Sequence, residues 1–329
     1  MNSILIYGSI FVLLVVLELL YFRIARRFNI SDTPSARSSH STVVLSGGGI
    51  IFLLGIWLWS AFFGFHYLWF LIGLTVVCGV SFWDDVHSLP DSVRLIAQFA
   101  AMFLMFADLG TLCWSYAWLV LVGLILCVGI INAYNFMDGI NGMTSGYSLA
   151  VLVPLILLNR SLAFIEMSYL IVAAIACLVF SYFNFRPKGK AKCFAGDVGS
   201  IGIAFIILLP LGKLILLTGD WTYIILLAVY GVDTVLTICH RILLKENLGK
   251  AHRKHAYQLM ANELHIPHEV VSLCYMALQF IVSMGLIYIA RIHWVYALCA
   301  VAVLGIAYLI FMKRYYHLHE DYLNSIQQK

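Results

Sequence analysis

The sequence predicts an all-α, polytopic integral membrane helical bundle with about eleven spans, and three observations lead there. Hydrophobic residues make up 63% of the 329 and charged residues 11%, where soluble chains carry about 45–50% and 25%. Mean hydropathy is +0.95, more apolar surface than one water-soluble core buries. The apolar residues come in long unbroken runs, not in the alternation of a membrane β-barrel. The net charge of +4 follows the loops of a membrane protein, so no nucleic-acid partner is expected.

A spanning helix needs about 20 mostly apolar residues. Runs of that kind occupy 4–22, 47–65, 67–82, 95–109, 114–131, 144–158, 162–182, 199–217, 223–239, 270–290 and 292–312. The first carries a single charge, Glu18. It is expected as a retained helix, because no Lys or Arg precedes it and no small-residue cleavage site follows. The fourth and sixth runs are short and extend into polar flanks. Cysteines fall mostly inside these runs and form no CxxC pair, which suits small buried hydrophobes better than disulfides or zinc.

Lys and Arg set the orientation. Arg23, Arg26, Arg27 and Arg37, Arg94, Arg186, Lys188, Lys190 and Lys192, Arg241, Lys245, Lys250, Arg253 and Lys254, and Lys313, Arg314 and Lys329 all fall on one side. They are seventeen of the chain's 20 basic residues; Arg160 and Arg291 fall on the other side and Lys213 within a span. The expectation is an outside N-terminus and a cytoplasmic C-terminus. A single domain, 1–329, then carries its polar loops, about 23–46, 83–94, 132–143, 183–199 and 240–269, on the cytoplasmic face. The outer loops are too short to build a site.

Those five loops carry the chemistry. The first holds Arg37 and His40 and then Ser46 and three glycines, Gly47 to Gly49. It reads either as a flexible connector or as a phosphate cradle of backbone amides beside an arginine clamp. The second has Asp84 and Asp85 adjacent, followed by Arg94. Paired carboxylates are costly to hold together without a cation, and Mg²⁺ takes one or two carboxylates plus substrate phosphates. In the third, Asn132, Asn135 and Asp138 recur every three residues on one helix face, before Gly139 and Asn141. Such groups at membrane depth need partners. In the fourth, Asp197 stands between Gly196 and Gly199 after four basic residues. Metal ligation is favoured there over simple helix capping, which Ser200 can supply. The fifth follows Asp233, Thr237 and Arg241 and holds His252, Arg253, Lys254 and His255, a cationic cluster suited to phosphate. Acidic groups for a divalent cation beside basic groups for phosphate suggest transfer of a phosphate-linked group by positioning and charge neutralisation.

In combination, Asp84-Asp85, the NxxNxxDGxNG stretch from Asn132 to Gly142, and Gly196-Asp197-Val198-Gly199-Ser200 make the chain resemble the polyprenyl-phosphate N-acetylhexosamine-1-phosphate transferases, glycosyltransferase family 4. The resemblance runs from Asp32 to Gln258 in the family's order. The forms around His40 and from His252 to Gln258 are similar to the short O-antigen or capsule-initiating branch related to undecaprenyl-phosphate GlcNAc-1-phosphate transferase.

The resemblance implies a Mg²⁺-dependent enzyme of the bacterial inner membrane, with Mn²⁺ as a substitute. Its donor would be a UDP-N-acetylhexosamine and its acceptor undecaprenyl phosphate among the membrane lipids. UMP would leave, and the lipid-linked diphosphosugar would start O-antigen, capsule or other envelope glycan. It implies catalytic Asp84, Asp85, Asp197, His252 and His255, with Asp197 and Asp85 as metal ligands. Substrate contacts would come from Arg37, His40, Arg94, Asn132, Asn135, Asp138, Asn141, Asn184, Phe194, Arg241 and Arg253. Phe194 falls where an aromatic stacks on uracil, and Asn141 stands where the family often has a second carboxylate. Family members often form homodimers, and glycine-bearing span faces would allow pairing. A transporter of an anionic substrate is the alternative, but it would show an inverted repeat and mid-membrane polar groups, and neither is evident. A CDP-alcohol phosphotransferase would need DGxxAR where this chain has Asp138-Gly139-Ile140-Asn141-Gly142.

Overall fold

The structure is a computed structural model and describes residues 3–33, 39, 42–249 and 252–327. Arg37 and His40 lie outside the described residues. The chain is an all-α polytopic bundle. Eleven long helices appear in order: α1 (Ser3–Arg27), α2 (Ile50–Phe63), α3 (Leu68–His87), α4 (Asp91–Asp108), α5 (Ala117–Met137), α6 (Met143–Leu162), α7 (Met167–Asn184), α8 (Gly196–Thr218), α9 (Ala228–Leu243), α11 (His268–Tyr288) and α12 (His293–Gln327), with the short α10 (Ala256–Asn262) between α9 and α11. Two short 3₁₀ turns, Trp114–Tyr116 and Trp221–Leu227, lead into α5 and α9. Each expected span has its helix.

Among the described residues, nine helices are long and apolar enough to cross a membrane. The other two expected spans fall short for different reasons. α2 has 14 residues, and α4 carries Asp91, Arg94 and Asp108 in its 18. The bundle is layered around α8, which is 72% buried, whereas α5 and α12 are 11% and 17% buried and present their apolar side chains outward. That outward apolar surface is what lipid covers.

The only strands among the described residues are β1 (Ser31–Asp32) and β2 (Val44–Leu45), paired antiparallel with Ser31 opposite Leu45. This ribbon brings the glycine segment Gly47 to Gly49 against the start of α8. A Cβ on Gly49 would overlap the Cα of Gly199, so α2 and α8 meet backbone to backbone. The amide of Gly48 donates to the Phe194 carbonyl at 2.9 Å, and that of Gly49 to the Ala195 carbonyl at 3.1 Å. Those two amides are therefore not a phosphate cradle. The glycines are there for close packing, because any side chain would force the two helices apart.

Candidate active site

The ends of α3, α5, α7 and α9 and the starts of α4, α6 and α8 converge at the end of the bundle that carries the basic loops. Neighbouring residues on a helix point about 100° apart, so Asp84 and Asp85 at the end of α3 meet different partners. Asp85 accepts the Asp197 N–H at 2.8 Å on one oxygen and the Val198 N–H at 3.1 Å on the other. First-turn amides have no partner within their own helix, and here α3 supplies the cap for α8. Gly196, at φ +69°, lets the carboxylate approach, since a Cβ there would meet it. Neither Asp197 nor Ser200 caps α8; Ser200 Oγ donates to the Gly196 carbonyl at 3.1 Å.

Relieved of capping, Asp197 turns its carboxylate toward α4 and α5. Asn135 Nδ2 donates to its Oδ1 at 2.8 Å and sits 3.1 Å from Ser200 Oγ. Arg94 Nη1 lies 2.8 Å from Asp84 Oδ2, 3.6 Å from Asp197 Oδ2 and 4.0 Å from Asp91 Oδ1. Asp84 also accepts the Leu89 N–H. One guanidinium thus bridges two carboxylates from two helices. Asn132, a turn below Asn135, donates to Gln98 Oε1 at 2.7 Å. The polar face of α5 expected from the spacing is real, and its partners sit on α4 and α8.

Asp138 follows α5, is half-buried and accepts from the Thr144 hydroxyl at 2.5 Å. Burial pushes its carboxyl up to about 7; the Thr144 hydrogen bond opposes that rise and the charge of Asp197 adds to it. Asn141 and Asn184 are tied into the scaffold. Asn141 Nδ2 donates to the Arg186 and Pro187 carbonyls at 2.7 and 3.2 Å. Asn184 accepts the Gly142 N–H at 2.7 Å and donates to the Cys193 carbonyl at 2.9 Å. Together they lock the turn after α5 to the loop before α8. That loop presents Phe194, half-buried, whose N–H donates to the Leu45 carbonyl at 2.8 Å.

The fifth loop divides its residues between two faces. His252 and His255 turn inward, their rings 5.0 Å apart and each about 6.3 Å from Phe136 (6.4 and 6.3 Å), next to Asn135. Tyr257 pins this loop to α5 by donating to the Phe136 carbonyl at 2.8 Å. Arg253 and Lys254 turn the other way, toward Glu263, Glu246 and α12. Arg253 pairs with Glu263 at 2.8 Å and lies 4.2 Å over the Tyr322 ring. Lys254 pairs with Glu246 and lies 5.8 Å from the Tyr316 ring. Arg241, buried, donates to Glu246 at 3.1 Å and to the Leu248 and Asn247 carbonyls at 3.3 and 2.7 Å, shaping the turn after α9. The cationic cluster read along the chain is therefore a pair of histidines facing the site and a set of cations bracing it. Burial, with His255 and Arg241 nearby, pushes His252 down to about 3, so it is neutral at neutral pH.

Asp233 is absent from the site residues inferred from sequence, yet it meets His255 directly. It is buried in α9 and accepts from His255 Nδ1 at 3.2 Å. Its position inside an apolar run was the signal, since an ionisable residue within a span marks function by default.

The chemistry of the donor set, two carboxylates bridged by one positive group, is of the hard-oxygen kind that a divalent cation takes. No cluster of three His, Cys, Asp or Glu side chains suited to a metal occurs among the described residues.

Residues 67–212 match the family model described as glycosyl transferase family 4. That segment contains Asp84, Asp85, Arg94, Asn135, Asp138 and Asp197. Over that segment the chain is similar to this family. The chain is also similar to a probable undecaprenyl-phosphate N-acetylglucosaminyl 1-phosphate transferase of Bacillus subtilis, 27% identical over 80% of this chain and 78% of that protein. An undecaprenyl-phosphate alpha-N-acetylglucosaminyl 1-phosphate transferase of Thermotoga maritima is 25% identical over 73% and 76%. A decaprenyl-phosphate N-acetylglucosaminephosphotransferase of Mycobacterium tuberculosis is 26% identical over 56% and 53%.

Proposed function

We propose that the protein is a member of this family and that it transfers an N-acetylhexosamine 1-phosphate from a UDP-sugar to undecaprenyl phosphate, releasing UMP, at the cytoplasmic face of the bacterial inner membrane. The product would begin an O-antigen, capsule or other envelope glycan. The observation that supports the reading is the Asp84–Arg94–Asp197 bridge held by Asn135 at the basic end of a membrane bundle, which would suit a phosphate and a cation. The relatives' activities, as named above, agree with it.

In this reading an oxygen of the acceptor phosphate attacks the sugar-bearing phosphorus, and the bond to the UMP oxygen breaks. Asp197 and Asp84 would hold Mg²⁺, or Mn²⁺ in its place, and the ion would neutralise charge on the diphosphate. Asp85, with both oxygens on the α8 amides, positions Asp197 instead of ligating freely. Arg94 takes phosphate charge once the carboxylates have another cation. His252 and His255 face the diphosphate, Phe194 offers a ring to uracil, and the Asn184–Gly142 bond shapes the nucleotide pocket. Positioning and charge supply the rate.

The test is UMP release by the purified protein in detergent with undecaprenyl phosphate, Mg²⁺ and a panel of UDP-N-acetylhexosamines, against a chelator control. Metal-dependent release with one donor is expected. Absence of release with every donor, from protein that remains folded and binds undecaprenyl phosphate, would overturn the donor class; absence of lipid-phosphate binding as well would overturn the reaction.

A further inference from the structure

Asp233 has the most saturated carboxylate of the buried groups outside the carboxylate cluster. It is 3% exposed in the interior of α9. Its Oδ1 accepts from His255 Nδ1 at 3.2 Å, from the Ala256 N–H at 3.2 Å and from Thr237 Oγ1 at 3.1 Å. Its Oδ2 accepts from the Tyr275 hydroxyl of α11 at 2.6 Å. Four donors from three helices and a loop therefore fix one carboxylate, and the carboxylate fixes His255. The histidine is 2% exposed, and its other ring nitrogen, Nε2, is buried with no hydrogen-bond partner among the described residues.

A carboxylate on Nδ1 does two things to an imidazole. It selects the tautomer with the proton on Nδ1, and it stabilises the imidazolium. Among the described residues, Nδ1 of His252 has no such partner. Among the described residues, the groups against His255 include His252 from its own loop, Asp233 from α9, Tyr275 from α11 through Asp233, the Gln258 N–H and the Tyr257 ring, 5.9 Å away, of α10, and the uncharged Phe136 of α5. Lys254 and Arg241 are drawn off by Glu246. Asp233 is thus the single carboxylate among them.

We propose that Asp233 is a positioning residue that holds His255 as a proton donor, and that His255 Nε2–H protonates the UMP oxygen as the donor's P–O–P bridge breaks. This rests on the transfer proposed above and gives the two histidines different tasks. As the acceptor oxygen bonds to the sugar-bearing phosphorus, the electron pair of the breaking bond passes to the bridging oxygen. The imidazolium proton goes to that oxygen, and the neutral imidazole is reprotonated from water.

Asp233→Asn separates orientation from charge. Its amide oxygen can keep the three donors on Oδ1 and its NH₂ can face the Tyr275 oxygen, so His255 stays in place without its counter-charge. Loss of a general acid costs about 10²–10⁴ in rate. Expected for Asp233→Asn is roughly a 10²-fold loss of UMP release with a thermal midpoint close to that of the parent protein; undiminished release would overturn the proposal.

A UDP-sugar with sulfur in its P–O–P bridge supplies the second arm, because its thiolate leaving group needs no proton. Asp233→Asn and His255→Gln should both lose far less on that donor than on the natural one; equal losses would overturn the proposal. If Asp233→Asn does not fold, His255→Gln carries this comparison alone. If the parent releases no UMP from any donor, the transfer reading has failed, and the dyad is read without turnover. In protein carrying ¹⁵N-histidine, a protonated Nδ1 on His255 that is lost in Asp233→Ala upholds the positioning role, and its absence from the parent overturns it.

Discussion

Replacing Asp85 by Asn tests whether this carboxylate caps α8 or binds metal. In the structure both oxygens accept amides of the first turn of α8, at 2.8 and 3.1 Å. Asn keeps one acceptor and points an NH₂ group at the other amide. One hydrogen bond is lost and one buried donor is left unsatisfied, at about 1–3 kcal/mol, and the weakened cap adds about 1 kcal/mol. The sum is about 2–4 kcal/mol. For a domain of this size that corresponds to a fall of roughly 4–8 °C in the thermal midpoint. The measurement is thermal unfolding in detergent with chelator and again with Mg²⁺. A ligand at ten times its Kd stabilises by about 1.4 kcal/mol, and Asp85→Asn should retain that increment while starting from a lower midpoint. An unchanged midpoint in chelator, with the Mg²⁺ increment gone, would refute the capping argument and make Asp85 a ligand.

Three other outcomes are expected. Asp197→Asn should lower UMP release by at least about 10³-fold and abolish the Mg²⁺ increment in thermal stability, with the chelator midpoint little changed; near-parental turnover would sink its role. Asp138 is held up to about 7 by burial, so between about pH 4 and 7 the folded protein keeps a proton that the unfolded chain has released, and stability falls as pH rises through that window. Asp138→Asn should flatten this slope, read from thermal midpoints at pH 4.5 and 7.5; an unchanged slope would refute the assignment. Gly49→Ala puts a methyl group into the Gly199 backbone, and overpacking of about 1–3 kcal/mol or more should cut the yield of monodisperse protein on size exclusion, whereas equal yield would show that α2 and α8 can separate.

The spans were legible because a bilayer leaves the backbone one economical solution, and a run of about 20 apolar residues announces it. α2 and α4 were equally visible as runs, though their length and charges keep them from spanning on their own terms. The carboxylates of the site were legible as well, because adjacent or glycine-flanked acids at helix ends are costly to keep without a task. Their division of labour was not. That Asp85 caps α8, and so leaves Asp197 exposed to α4 and α5, depends on a contact across 112 positions. The glycine run suggested a phosphate cradle because loop glycines serve that purpose elsewhere; only the approach of Gly49 to Gly199 shows them spent on packing. Asp233 escaped because its partner lies 22 residues away and the run around it reads as membrane. Arg253 and Lys254 looked like phosphate ligands because a one-dimensional reading cannot tell which side of a loop a residue faces.

α12 has 35 residues, about 52 Å at 1.5 Å per residue, against a hydrocarbon core of about 30 Å. Its excess length carries Tyr316, His319 and Tyr322 to Lys254, Glu263 and Arg253, the residues that hold the two histidines from behind. The helix therefore works as a gauge that sets how far the histidine loop stands from the lipid. Its apolar stretch tolerates exchange of one lipid-facing side chain for another. It does not tolerate a change of length: one inserted residue turns everything beyond it by about 100° and advances it by 1.5 Å, carrying Tyr316 and Tyr322 off their cations. In this span composition is free and count is fixed.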